Sequence, residues 1–414
     1  MTSGVHSALY LSVPFCRTKC SFCNFASGVF SRDLFDRYVA HLERSIANAP
    51  TLARQFAAAF DPLLDSVYLG GGTPSVLAPD QLDRLFAAIT QTFELSPSAE
   101  CTVEVAPGTL SDEVLAALLR AGVNRVSLGV QSFIDQESRS VGRLHSRDIT
   151  LADIARLRSA GITEISIDLI AGLPYQTIES WEHSLDQLLA LAVPHVSVYM
   201  LEVDGDSRLG RELIAGGTRY HAHQVPDEAE TITLYERACE RLNEVGISQY
   251  EISNFARPGH QSRHNLRYWQ RLPYFGFGVD AHSMLPAPTP SDPHRAIRLA
   301  TPDSLEAFLA GARDGAPHLS PSADVGLEST IVTERQAIEE TYFLGLRLNR
   351  GLELQAIKQR FGTAAVDDYR EPITALIANE LLTLDDGCLR LTPRGRLLSN
   401  EVFAAFLLPP RPNG

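Results

Sequence analysis

Nowhere in its 414 residues does the chain hold a run of about 18 apolar residues, so no stretch reads as a membrane-spanning helix. The amino terminus, MTSGVHSALYLSVPFC, lacks a basic start followed by an apolar stretch, the signature of a secretory signal. Residence in the cytoplasm is therefore expected, with peripheral membrane contact left open. Basic residues are also short in number: 36 Lys and Arg against 50 Asp and Glu leave a formal charge of -14, which argues against a polyanionic nucleic-acid partner. Cysteine is sparse as well, with six in all. In a reducing compartment, clustered cysteines bind metal or do redox chemistry more readily than they form disulfides. Cys101, Cys239 and Cys388 stand singly in apolar surroundings and read as small core residues.

What is present is enough hydrophobic sequence, 44%, to bury a large core. Short β-branched runs alternate with longer stretches of helical period, which predicts repeated βα units and a parallel sheet. Six strands are expected, ending near Val13, Gly70, Ala106, Val130, Ile170 and Met200. The stretches between them, such as LFDRYVAHLERSI and DQLDRLFAAITQTF, carry apolar residues at three and four spacing. The fold class is thus α/β, a partial (β/α)6 TIM-like barrel over residues 1–240. Residues 241–327 are expected to form an extension holding HNLRYW and a Gly-rich piece, and 328–414 a small, mostly helical, winged-helix-like domain. Residues 330–414 hold 11 acids and 10 Lys or Arg, so this last part lacks the basic footprint of a DNA reader and is expected to be structural or a docking domain.

The other three cysteines, Cys16, Cys20 and Cys23, lie within eight positions, just past the first strand. In a parallel barrel the C-terminal strand ends form the active face. Three thiolates there suit an iron-sulfur cluster with one iron left for an exogenous ligand. A zinc site completed by a distant His such as His41, or three unligated thiols, remains the alternative. The second strand runs into GGGTP, Gly70 to Pro74, where backbone can approach a ligand closely, though a triple glycine is more often a turn. Glu104, Gln131 and Asp168 fall at the third, fourth and fifth strands, each a candidate cap or packing residue that gains weight from joint arrival at one face.

C-x3-C-x2-C after a first strand, followed by GGGTP after a second, resembles the radical S-adenosylmethionine (SAM) proteins. More narrowly, it is similar to the branch containing oxygen-independent coproporphyrinogen III oxidases and heme chaperones. The resemblance spans nearly the whole chain. It implies a 4Fe-4S cluster on Cys16, Cys20 and Cys23, whose fourth iron is chelated by SAM. It implies cofactor contacts from Tyr10, Phe22, Gly71, Gly72, Thr73, Glu104, Gln131, Arg143 and Asp168, with their division between one and two SAM molecules left open.

Two features separate the branches. Oxidases resembling this chain carry a further cysteine two positions after the third, where Phe25 stands here, and a longer segment before the cluster. HNLRYW, from His264 to Trp269, matches the HNxxYW motif associated with heme binding among the chaperones. The resemblance thus implies heme as a third ligand, with His264 on iron and Tyr268 and Trp269 against the porphyrin; a turn with aromatic anchors is the bland alternative. His282 lines the cofactor pocket beside the Gly-rich strand, is a further heme contact, or is a core residue, and His221 and His223 are assigned no role. The expected function is to receive heme and pass it to client hemoproteins. Oxidative decarboxylation of coproporphyrinogen III, or radical SAM chemistry on another substrate, is the enzymatic alternative, and a homodimer is left open.

Overall fold

The computed structural model describes residues 6–310 and 326–407. Six parallel strands follow one another in chain order: β1 (Ser7–Val13), β2 (Leu63–Gly71), β3 (Glu94–Val105), β4 (Arg125–Gln131), β5 (Glu164–Ala171) and β6 (His195–Met200). Alternation decides which face each residue takes. On β1, Leu9, Leu11 and Val13 are buried in the main core, while Tyr10 and Ser12 turn to the concave side. The helices cover the convex side because their apolar residues recur at helical spacing. In Asp33–Ala47 the buried set is Tyr38, Val39, Leu42 and Ile46, and in Pro79–Thr92 it includes Leu82, Leu85, Phe86 and Ile89. Each such side chain removes from water surface worth roughly 1.5–3 kcal/mol. Helix starts are marked locally: the side chains of Ser111, Ser146 and Thr177 each accept a backbone N–H of their helix's first turn.

The arc does not close on itself. β1 pairs on its free edge with β9 (Tyr274–Phe277), and β6 pairs antiparallel with β8 (Asn254–Ala256), which in turn pairs with β7 (Ser248–Gln249). Beyond β9 the sheet continues through β10 (His282–Pro286), β11 (Ala296–Ala300) and β12 (Glu328–Val332). The strands between Ser248 and Ala300 therefore extend both edges of the barrel sheet, which also takes in Glu328–Val332.

The last module has its own core of Tyr342, Ile357, Ile373, Leu376, Leu389 and Phe406. Its antiparallel sheet is ordered β13 (Leu352–Glu353), β15 (Cys388–Leu391), β14 (Leu382–Asp385), with the helices Leu354–Phe361 and Arg370–Ala378 between the first and second strands in sequence. This is the winged-helix order. Positive φ at Asp386 and Gly387 makes the tight turn of its hairpin. Ion pairs fasten the module to the barrel: Glu340 accepts from Arg271 at 2.6 Å and Arg298 at 2.9 Å, and Arg347 lies 3.6 Å from the buried Glu251. Among the described residues, no helix is long and apolar enough to cross a membrane.

Candidate cofactor chamber

The cysteine loop is tied down at several points. Cys16 N–H donates to Gly28 O at 2.8 Å and Gly28 N–H to Pro14 O at 2.8 Å; Lys19 Nζ donates to Phe25 O at 2.5 Å and Ser27 O at 2.8 Å. Thr18 Oγ1 donates to Gly142 O at 2.9 Å and Ser21 N–H to Val141 O at 3.0 Å, which fastens the loop to the segment after β4. Phe22 joins Val141, Ile170, Leu173, Leu209 and Ala222 in a small apolar cluster, so the loop is also packed against the end of β5.

Thr73 Oγ1 donates to Cys16 Sγ at 3.7 Å, and Cys23 Sγ lies 3.8 Å from Ser27 Oγ. Burial raises the thiols of Cys16 and Cys20, with Cys23 pushing the same way on both; hydrogen bonds from Thr73 and Ser27 oppose it at Cys16, and Arg143 opposes it at Cys20. Among the described residues, no three His, Cys, Asp or Glu side chains converge closely enough for a single metal ion. The ring of His41 packs edge-on to Phe308 at 4.5 Å. Phe25 stands 63% exposed on the loop.

The glycines of GGGTP serve packing as much as access. A Cβ on Gly72 would lie 2.7 Å from Val13 O, and one on Gly71, at φ +97, would lie 2.8 Å from Ser12 Oγ. Close approach lets Gly72 N–H donate to Val13 O at 2.9 Å and Thr73 N–H to Phe15 O at 2.8 Å, joining the ends of β1 and β2.

Below this lip lie two carboxylates. Glu104 accepts from Tyr68 Oη at 2.8 Å and Gly71 N–H at 3.1 Å; burial, with Asp168 adding to it, pushes its pKa up to about 7. Asp168 accepts from Ser197 at 2.7 Å and Ser127 at 3.0 Å; burial raises it and these hydroxyls hold it down. Arg143 acts on both carboxylates and on the thiols, while its buried Nε has no hydrogen-bond partner among the described residues. Gln131 takes φ +70 where β4 shifts register against β5. The Tyr10 ring stands 6.1 Å from that of Tyr68, and burial raises its hydroxyl. Cys16, Cys20, Cys23, Tyr10, Gly71, Gly72, Thr73, Glu104, Gln131, Arg143 and Asp168 thus meet at one end of the barrel. Tyr68, Ser127 and Ser197 were not singled out from sequence; the signal was a polar residue at alternate positions of otherwise apolar strands.

The HNLRYW residues take a different place. They form the helix Arg263–Trp269, whose first turn is capped by Glu100 accepting from the N–H groups of Arg263 at 3.1 Å and His264 at 3.0 Å. His264 is 1% exposed; Nδ1 meets Ser66 Oγ at 3.0 Å and Nε2 meets Tyr268 Oη at 2.8 Å. Trp269 lies under the Arg347 guanidinium at 4.2 Å. Of the residues expected to face heme, His264 thus lies buried with both imidazole nitrogens hydrogen-bonded within the protein, while Trp269 is partly exposed and its indole N–H has no hydrogen-bond partner among the described residues. His282 is half exposed, 4.0 Å from Asp280, and exposed His221 meets Tyr175 Oη through Nδ1 at 2.8 Å.

Residues 10–188 match the radical SAM superfamily and residues 332–398 the HemN C-terminal domain. The chain is 34% identical over 399 residues to heme chaperone HemW of Bacillus subtilis (strain 168), covering 96% of this chain and 98% of that one. It is 32% identical over 402 residues to heme chaperone HemW of Lactococcus lactis, covering 97% of each. Among solved structures, coproporphyrinogen III oxidase (HemN) from Escherichia coli superposes with a TM-score of 0.80 at 24% identity, over 97% of this chain and 90% of that one, a likeness of fold.

Proposed function

Because the chain belongs to the radical SAM superfamily, in the family of the HemW heme chaperones, we propose that it binds heme in the cytoplasm and passes it to client hemoproteins, using a 4Fe-4S cluster and SAM. The observation that carries this reading is the convergence of three thiols, Gly71 to Thr73, Glu104, Arg143 and Asp168 at one barrel mouth, in a chain collinear with those chaperones.

The donor set fits such cofactors. Cys16, Cys20 and Cys23 would hold the cluster through sulfur, and the unpartnered Nε of Arg143 suits a carboxylate. When bound, the cluster supplies an open iron and an electron for SAM. Glu104 and Asp168 would accept from hydroxyl or amine groups, Gln131 would offer its amide, the Gly71–Gly72 backbone would lie along the ligand, and Tyr10 and Phe22 would wall the site. Heme ligation by His264 is not part of this reading, since both of its nitrogens are engaged inside the barrel. His282, half exposed, is the better candidate among the imidazoles named from sequence.

Phe25 in place of a fourth thiol separates this reading from coproporphyrinogen III oxidation. Anaerobically reconstituted protein is expected to hold about four irons per chain, to develop a Soret band with heme, and to load an apo-hemoprotein. Cys20→Ala should lose the iron and its visible absorption. With SAM and an electron donor, coproporphyrinogen III should remain unconverted; clear turnover would favour the oxidase, and zinc in place of iron would defeat the cluster assignment.

A further inference from the structure

The helix that carries HNLRYW packs directly beneath the carboxylate of Glu104 by way of Tyr68. A continuous line of contacts descends from the chamber. Tyr68 Oη donates to Glu104 at 2.8 Å, and the Tyr68 ring stacks on the His264 imidazole with centroids 5.1 Å apart and planes 29° from parallel. The imidazole is pinned from both sides, by Ser66 at 3.0 Å and Tyr268 at 2.8 Å. The Tyr268 ring stands edge-on to Tyr274 of β9 at 4.7 Å. Burial pushes the His264 pKa down to about 3, so the ring is neutral across the working range. One nitrogen then donates and the other accepts, roles that the Ser66 and Tyr268 hydroxyls can both complement.

We propose that the helix Arg263–Trp269 is the floor of the cofactor chamber, and that His264 is a positioning residue whose ring fixes Tyr68 so that the tyrosine hydroxyl holds Glu104 toward a hydroxyl- or amine-bearing part of SAM. This rests on the reading that SAM lies over Glu104. Without the imidazole, Tyr68 has space beneath it and its hydroxyl leaves the carboxylate, which then keeps one protein donor, Gly71 N–H.

The consequence is a change in pH dependence. A carboxylate accepts from a ligand hydroxyl best when ionised, so SAM binding should strengthen as pH rises through the Glu104 pKa, about 7. The titratable and charged groups facing Glu104 are Tyr10, Tyr68, Arg143, Asp168, Tyr199 and Tyr268. Of these, Tyr68 favours the ionised form through its hydrogen bond. Losing that bond moves the midpoint upward, and a general loosening of the fold has no reason to do so.

The test uses full-length, cluster-reconstituted protein: wild type, His264→Ala, Tyr68→Phe and the double variant. Each single change should weaken SAM binding about tenfold, the loss of one hydrogen bond to a charged group. The double variant should be no weaker than the worse single, because both act on one contact, and the pH midpoint should rise in all three. Heme affinity, read from the Soret band, should stay at the wild-type value. If His264→Ala does not fold, Ser66→Ala, which removes one of the imidazole's partners, takes its place. Unchanged SAM affinity and pH midpoint in Tyr68→Phe overturn the proposal, as does a His264→Ala protein that loses heme while binding SAM normally. A wild type without a Soret band removes the chaperone reading while the SAM comparison still decides the floor; a wild type that binds no SAM removes the proposal with the SAM reading.

Discussion

Glu104→Gln should make the SAM-free protein more stable at about pH 8 and leave it nearly unchanged at about pH 5. In the folded chain burial raises this carboxyl from 4.5 to about 7, so folding must remove a charged group from water at any pH above that range. Between 4.5 and 7 the folded chain binds more protons at this site than the unfolded chain does, and stability falls as pH rises. The difference corresponds to about 3 kcal/mol once both pKa values are exceeded. Glutamine escapes this cost while keeping an acceptor for Tyr68, but turns an NH2 group toward the Gly71 N–H, a loss of about 1 kcal/mol. The net gain is about 2 kcal/mol at about pH 8 and close to zero at about pH 5. With unfolding entropy of about 2.1 cal/mol/K per residue over a unit on the order of 300 residues, the gain raises Tm by roughly 3 °C. Thermal unfolding of wild type and variant at both pH values, without SAM, measures it. A Tm difference independent of pH would refute the reasoning, because only the ionisation of Glu104 makes the gain pH-dependent. The same variant should bind SAM more weakly, the usual exchange of stability for function at a charged site.

Two further outcomes follow from close contacts. Gly72→Ala places a methyl group 2.7 Å from Val13 O and 2.8 Å from Phe15 O, both backbone atoms that cannot swing aside; iron content after reconstitution should fall with the cysteine loop displaced, and wild-type iron would contradict this account. Arg347→Ala leaves the buried Glu251 without its cation and Trp269 without its cover; a loss of about 3 kcal/mol is expected, read as a lower unfolding midpoint and earlier proteolysis of the C-terminal module, and largely relieved by adding Glu251→Gln.

Much of the chamber was legible in the sequence, since strand ends and loop spacing are local properties. Period-two runs ending near Val13, Gly70, Ala106, Val130, Ile170 and Met200 place the lip residues at one face, whatever packs behind them. Cys16, Cys20 and Cys23 lie on one short loop whatever the rest of the chain does. The winged-helix tail was visible for the same reason: its helices and hairpin follow one another within a single stretch.

HNLRYW shows where local reading stops. As sequence it offers an imidazole, a phenol and an indole, all suited to heme. In the fold, Ser66, 198 residues away, meets one nitrogen of His264, and Glu100, 164 residues away, accepts the N–H of the same residue. No pattern near residue 264 specifies those partners, because they are set by sheet register and by the angle at which the helix enters the barrel. The extension is similar: its strands join opposite edges of one sheet, β9 on β1 and β8 on β6, according to which backbone edges stood unpaired. Chemistry-bearing residues and their spacing were therefore determined by the sequence itself, while burial, which cancels or preserves a side chain's reactivity, was decided only when distant segments closed around it.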